Sequence, residues 1–493
     1  YSKMWILFCF IAFSSIASPL LLNEKKLIEL SHESSPRLSE IKASLMASVT
    51  NRNTLMGRYA PEAFAGGSYA ETNARPIIEF IPIFSPVKEA HVGLRQRFKK
   101  GLDTELKLST VQQSANSRIS GKYTDVTTNI LSLTLQMDLW KDLFGRFSEA
   151  KLLENDLSAR KARIEEEISK KALEISVRRY FWSLVANTEQ IKISQRLLKT
   201  SEEQLNDSRI RLSKSIGDRG DVARYEAQVA ERKGQVVLFT YQKESLLRSL
   251  KNLLPSLNDK DIQIHDYDID LTIKRVSECS GVITSSSKVP QDYTRYDEVV
   301  GILKEQRNMN RILNDRYSDI DLKLYGTVRS TGVGSDQIST SEYRGSYGGA
   351  FKDMDQNNRS GYQAGVNLTI PLGPAQEETK KSKVIYDEER LKAQIDGFDA
   401  QLLSTHSQLS KSMGLIGEVI LIQRYGTDAL QRRMKVVREK YSQARVSVND
   451  LILDQDALLN SELSTIDSQL QAVNILFDYL MVFTDTPCEF NRI

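Results

Sequence analysis

Two aspartates, a tyrosine and an arginine near the last helix, together with two cysteines, are the residues of this chain whose types and spacing bear on chemistry. Asp450 and Asp454 stand one helical turn apart at a predicted helix start, so both carboxylates can face the same way. The same neighbourhood, Asn449-Asp450, also suits a helix N-terminus, where such side chains cap free N–H groups and complement the dipole. Of the three cysteines Cys9 falls in the predicted export signal, which leaves Cys279 and Cys488, a pairable number of thiols if the compartment is oxidising. His32, His91, His265 and His406 are scattered, with no carboxylate or cysteine at ligand spacing. No phosphate-binding glycine loop or nucleophile elbow appears. The sequence therefore predicts no enzyme, no metal and no cofactor, and a net charge of +3 gives no electrostatic footprint for nucleic acid.

The elements around these residues form a duplicated construction. A strand runs into a helix of about 70 residues, which turns sharply and returns as a helix half as long. The first copy starts at Leu139-Trp140-Lys141-Asp142-Leu143-Phe144-Gly145-Arg146 and returns at Gly220-Asp221-Val222. The second starts at Ile370-Pro371-Leu372-Gly373 and returns at Asn449-Asp450-Leu451. At 1.5 Å per residue each long helix reaches about 100 Å, so the chain is built to bridge a distance. Val177, Leu184, Ile191, Leu198, Leu205 and Leu212 recur every seven residues, the seam of a coiled coil. Ile452, Leu459, Ile466, Val473 and Leu480 form the matching seam of the last helix, with Leu463, Leu470 and Phe477 on a second row. Each return helix leaves half of its partner uncovered, and helices predicted at 20–58 and 293–319 are available to cover it.

Strand patterns precede each long helix. Leu131, Leu133, Leu135 and Met137 alternate with Ser132, Thr134 and Gln136, as expected where one face meets lipid and the other water. A half-buried soluble strand gives the same alternation. The segments 91–98 and 104–108 alternate around a Lys100-Gly101 turn, an extra hairpin at 89–112 whose place is open. Tyr362–Ile370 and Asp321–Val328 alternate too, separated by a Gly-, Ser- and Asn-rich stretch that reads as a long exposed loop. Segment 256–292 reads as a short irregular patch. At the N-terminus, Lys3, an apolar run to Ala12 and Ser15-Ile16-Ala17 read as an export signal removed near Ala17. No later stretch is apolar enough to span a bilayer as a helix, so entry into a membrane has to be as strands. The predicted divisions are 1–17, 18–255, 256–292 and 293–493: signal, first repeat, connecting segment and second repeat.

The joints Leu139-Trp140 … Phe144-Gly145-Arg146 and Ile370-Pro371-Leu372-Gly373 resemble those of the TolC-type outer-membrane factor family. The turns Gly220-Asp221-Val222-Ala223-Arg224-Tyr225-Glu226-Ala227 and Tyr441–Leu451 are similar as well, and the likeness covers nearly the whole mature chain. The resemblance implies an α+β membrane protein: transmembrane β-barrel strands, four per chain, over antiparallel coiled-coil hairpins that form a periplasmic α-barrel. It implies a homotrimer in the outer membrane, a periplasmic adaptor and an inner-membrane transporter as partners, and passive export of small molecules or proteins. It implies that Asp450 and the neighbouring turn's Asp454 line the periplasmic mouth, and that Tyr441 and Arg445 close the tip. The departures from the family pattern include Ala444 for its usual Gly, Val446 at the basic position with Arg445 beside it, Leu453 at the second acidic position with Asp454 beside it, and a polar first turn at 213–220 without the family's Val-Gly-Leu. Trp140, Gly145, Pro371 and Gly373 are expected at the strand–helix joints. In that architecture Cys279 and Cys488 fall at one height, which predicts a disulfide between them. The competing reading is a coiled-coil spacer or adhesin stalk of the envelope, with the strands in a small soluble sheet and no channel.

Overall fold

A computed structural model describes residues 20–73, 83–116, 123–258, 260–264, 267, 269–285, 295–313, 320–336, 343–357, 359–370, 374–443 and 445–483. The predicted signal, Pro371, Gly373, Ala444 and Cys488 lie outside them. The described chain divides into two compact units, one built from residues 1–45, 163–299 and 396–493, the other from 46–162 and 300–395.

Chain order begins with a short strand β1 (Leu20–Leu22), then helices α1 (Glu24–Ser34) and α2 (Pro36–Gly57). The single helix predicted over 20–58 is thus broken at Ser35, because Pro36 cannot donate to the turn before it. Four strands follow: β2 (Glu62–Ala70), β3 (Ile83–Phe98), β4 (Leu102–Asn116) and β5 (Tyr123–Asp138). A single 3-10 turn at Leu143–Gly145 leads into α3 (Arg146–Ser213), and α4 (Arg219–Leu253) returns. Strand β6 (Ile262–Ile264) pairs in parallel with β1. Then come α5 (Ile269–Ser285), α6 (Tyr296–Leu313), β7 (Asp321–Ser335), α7 (Tyr347–Asn357), β8 (Arg359–Thr369), α8 (Pro374–Ser442) and α9 (Val448–Val482).

In the first unit the core is an apolar cluster at the level of β1 and β6. Leu22, Leu27, Phe181, Trp182, Leu250, Leu257, Ile273, Leu476 and Phe477 are all buried there. Trp182 packs edge-on against Phe181 and Tyr267. The indole N–H points at Glu24, which also faces Arg178, and burial pushes the Glu24 carboxyl up while Arg178 opposes it. The segment predicted as irregular contains the 17-residue helix α5, packed on α9. Its Ile273, Val276, Cys279 and Ile283 repeat at three-to-four spacing and are buried, a stripe that the intervening charged and Ser residues conceal.

The second unit holds one six-stranded antiparallel sheet in the order β2-β3-β4-β5-β7-β8. The expectation of four strands per chain is corrected by two: the extra hairpin is β3 and β4, and it lies inside the sheet between β2 and β5. The stretch read as a loop between β7 and β8 contains α7, which packs on β5 and β7. Gly332 and Gly334 permit that contact, since a Cβ on either would sit 2.0 Å from the Ala350 carbonyl oxygen or 2.2 Å from that of Arg344.

Candidate functional site: an amphipathic sheet and two helical turns

Directly paired residues on neighbouring strands share a face, so the register defines rows that cross the whole sheet. One row reads Ala63, Leu94, Leu106, Leu133, Val328, Tyr362. It is apolar through all six strands, and Leu94, Leu106, Leu133, Val328 and Tyr362 are exposed, Tyr362 to 90%. The next row on the opposite face reads Glu62, Arg95, Glu105, Thr134, Thr327, Gln363. It is polar throughout. Arg95 pairs with Glu62 at 2.7 Å, and the hydroxyls of Thr134 and Thr327 meet at 3.1 Å. Val92, Phe98, Leu131, Leu135, Leu324, Val366 and Leu368 widen the exposed apolar face above and below the first row. A water-soluble sheet buries such a face; an open one of six strands matches lipid.

The strand–helix joint is built from backbone caps. Asp138 accepts from the N–H groups of Trp140 and Asp142, each at 3.0 Å, and Asp142 accepts from the Ser148 N–H at 2.8 Å. Gly145 has φ 86°, and a Cβ there would lie 2.1 Å from the Lys99 carbonyl oxygen. Gly101, at φ 75°, approaches the Asp142 carbonyl in the same way. The turn between β3 and β4 is therefore seated on the joint, and Lys100 adds an ion pair to Glu149 at 2.9 Å. Trp140 and Phe144 are exposed there, Phe144 with φ 53°. Gly145 was legible as a bend; the carboxylate caps Asp138 and Asp142 were not, because their partners are backbone groups without a sequence signature.

At the α3–α4 and α8–α9 turns, Ser447 is the N-cap of α9 and Asp450 completes a capping box with it. The Asp450 carboxylate accepts from the Ser447 hydroxyl at 2.6 Å and remains exposed. Asp454 is buried and held by Arg433, whose guanidinium spans both carboxylate oxygens at 2.8 and 3.1 Å. The two aspartates therefore do not form an exposed pair in the chain. Tyr441 accepts a hydrogen bond from the hydroxyl of the buried Tyr225 at 3.1 Å, and burial together with that bond pushes the Tyr225 phenol far up. The guanidinium over the Tyr441 ring is that of Arg211, 5.7 Å from the centroid. Arg445 is exposed, its backbone N–H bonded to the Lys440 carbonyl. Arg211 sits on the other hairpin, and a one-dimensional pattern carries no signal for it.

Above these turns α4 and α9 are tied by polar contacts. Gln228 donates to Gln455 at 3.0 Å with both residues buried, and Arg232, 2% exposed, pairs with Asp456. Burial pushes the Asp456 carboxyl up, and Arg232 opposes it. Large apolar side chains stand uncovered on two other flanks: Val237, Leu238 and Tyr241 of α4, and Leu415, Leu421, Ile422 and Tyr425 of α8. Cys279 is buried and disulfide-bonded. Among the described residues no cluster of His, Cys, Asp and Glu is placed to hold a metal, and no helix is long and apolar enough to cross a membrane.

No protein-family model matches the chain, and no curated protein matches it in sequence. Solved structures match it along nearly its full length. The outer membrane protein VceC from Vibrio cholerae aligns with a TM-score of 0.64 at 13% identity, covering 93% of this chain and 95% of that one. The Neisseria gonorrhoeae MtrE outer membrane channel aligns with a TM-score of 0.62 at 16% identity over 93% and 88%. The Campylobacter jejuni CmeC outer membrane channel gives 0.62 at 13% over 93% and 85%. The chain shares the fold of these outer-membrane channels, the fold that its joints and turns imply through their resemblance to the TolC-type family.

Proposed function

We propose that this protein is a passive exit duct of the outer membrane, a homotrimer whose strands close a barrel in lipid and whose helices form a periplasmic tunnel. One observation carries the reading: the row Ala63-Leu94-Leu106-Leu133-Val328-Tyr362 is apolar from edge to edge, while the row beside it on the other face is polar. Among the described residues neither edge of that sheet has a partner strand, and open edges are not tolerated in lipid, so neighbouring copies have to supply them. The uncovered flanks of α4 and α8 need the same neighbours. A spacer or stalk with a soluble sheet would bury the apolar face, yet α7 covers the sheet at the end near Asn129 and Gly332, while Leu94, Leu106, Leu133, Val328 and Tyr362 stay exposed.

The duct has no chemistry of its own, so the energy for export comes from an inner-membrane transporter reached through a periplasmic adaptor. Small molecules or polypeptides are the cargo. Asp450 contributes the acidic ring of the periplasmic mouth; Asp454, neutralised by Arg433, braces α8 against α9. Tyr441, with Arg445 beside it in the turn, contributes to tip closure. Cys279 pairs with Cys488, and a thiol count on the denatured, unreduced protein is expected to find neither free. The decisive experiment is reconstitution of the detergent-extracted protein in planar bilayers. Discrete conductance steps from a trimeric species support the duct; a monodisperse monomer without affinity for bilayers ends it.

A further inference from the structure

We propose that the barrel of this duct has eighteen strands, half as many again as the four-strand-per-chain plan supplies, and that its lumen is correspondingly wider. The inference rests on the trimeric duct proposed above and adds to it the hairpin of β3 and β4. That hairpin is integral to the sheet: β3 pairs with β2 from Glu62↔Arg95 to Ala70↔Val87, and β4 pairs with β5 from Leu102↔Met137 to Asn116↔Tyr123. Its face pattern is also that of a barrel wall. Val92, Leu94, Phe98 and Leu106 continue the exposed apolar face, and Arg95, Arg97, Asp103 and Glu105 continue the polar one. A hairpin folded into a lumen or lying outside in water has no use for such a face.

The turn of the hairpin cannot swing away without breaking the joint. Gly101 and Gly145 each bring their backbone against the other segment's carbonyl, the Asp138 N–H donates to the Gly101 carbonyl at 2.9 Å, and Lys100 pairs with Glu149. Closure keeps the pattern intact. The six strands alternate in direction, so β8 of one copy and β2 of the next run antiparallel, and a register offset of an even number of residues keeps the apolar faces on one side. Three copies of six strands make eighteen. With strands about 4.8 Å apart and tilted about 40°, eighteen enclose a backbone diameter of about 36 Å, against about 24 Å for twelve. Porins of 16–18 strands leave an aqueous channel. The outer-membrane segment then sets no tight limit on cargo size, and selection falls to the helical end.

Spin labels on Leu133→Cys in the full chain test the count, with Cys279 and Cys488 left as they are and the unsubstituted protein as blank. Equivalent positions on a three-fold barrel of eighteen strands lie about 30 Å apart, and on one of twelve about 20 Å. A single interchain distance near 30 Å, repeated with Val328→Cys on the paired strand, supports eighteen. A distance of about 20–25 Å in a membrane-inserted oligomer overturns it, whether two copies close twelve strands or the hairpin leaves the wall. That result leaves the duct itself standing. A protein that never inserts in lipid overturns both.

Discussion

The two repeats of this chain are equal in the arms of their helical hairpins and unequal where they are stranded. The long helices α3 and α8 have 68 and 69 residues, and the return helices α4 and α9 have 35 each. The first repeat brings four strands to the sheet, while the second brings two and the helix α7. A coiled coil paired along its length tolerates no unequal arm, because every residue added to one helix shifts the register of all its contacts. A sheet grows by whole hairpins, each of which only has to carry the same two faces. The helical half is therefore bound by length and the stranded half by pattern.

The largest expected effect tests the bolt that holds the added hairpin. Gly145→Ala puts a Cβ on a residue at φ 86° and 2.1 Å from the Lys99 carbonyl oxygen, so both the left-handed backbone and the contact are lost. The combined strain is about 4 kcal/mol. Heat-modifiable oligomer in outer-membrane fractions is expected to fall to background, and undiminished oligomer would show that the turn and the joint are independent. Next come Leu133→Arg and Val328→Arg, direct partners in the register but members of different repeats. Each is expected to lower the yield of inserted protein equally, by about 2–4 kcal/mol if the row lies near the bilayer midplane, whereas Thr134→Arg on the polar face leaves it unchanged. An effect confined to one repeat would mean that the six strands are not one membrane surface.

The return helices, equal in length, differ in what they bury. α9 buries Leu451, Leu458, Leu459, Leu476, Phe477 and Leu480, while α4 buries Gln228 and Arg232 among few apolar residues. Arg232→Leu removes the partner of Asp456, whose side chain is about a third exposed (34%), so the loss is about 2 kcal/mol rather than that of a fully buried pair. Denaturant unfolding of the detergent-solubilised protein reads it, and Asp456→Asn in the same background is expected to restore part of the loss. Asp450→Asn weakens the capping box by about 1 kcal/mol or less and removes one charge per chain from the proposed mouth. Reduced cation selectivity in planar bilayers, with conductance retained, is the expected result; unchanged selectivity removes Asp450 from the mouth.

What the sequence disclosed follows the same division. The arms were legible because Val177, Leu184, Leu205, Leu459 and Ile466 repeat at a period that only one structure uses, and all of them are buried in it or at its margin. The hairpin was legible as strands but not as part of the main sheet, since alternation reports two faces and not which neighbours a strand has. Helix α7 stayed hidden because the glycines that admit it, Gly332 and Gly334, belong to strand β7 beneath it, and a Gly-rich composition by itself reads as loop. The tip was least legible. Asp454 reads as a second mouth residue until Arg433 is seen across both of its oxygens, and Arg211 reaches Tyr441 from more than two hundred positions away.

The smallest effect separates the repeats at matched depth. Arg178 and His406 are each the thirty-third residue of their long helix, and both are buried. Arg178 faces two carboxylates, Glu24 and Glu174. His406 faces aromatic rings, with Phe483 edge-on at 5.6 Å and the Tyr479 hydroxyl 3.4 Å from Nδ1. Burial pushes the His406 imidazole below its ordinary value of 6.5, and it pushes the Tyr479 phenol up to about 12. A histidine lowered on folding binds fewer protons folded than unfolded, so stability is complete above about pH 6.5 and declines as pH falls from there toward the lowered folded value. His406→Phe removes that slope. Unfolding midpoints of wild type and His406→Phe are expected to run parallel above pH 7 and to diverge by less than about 1 kcal/mol between pH 6.5 and 5.5, with wild type the weaker. Parallel curves throughout would place His406 in contact with water, and the second repeat would then keep an ionisable group at this depth by solvating it rather than by packing it.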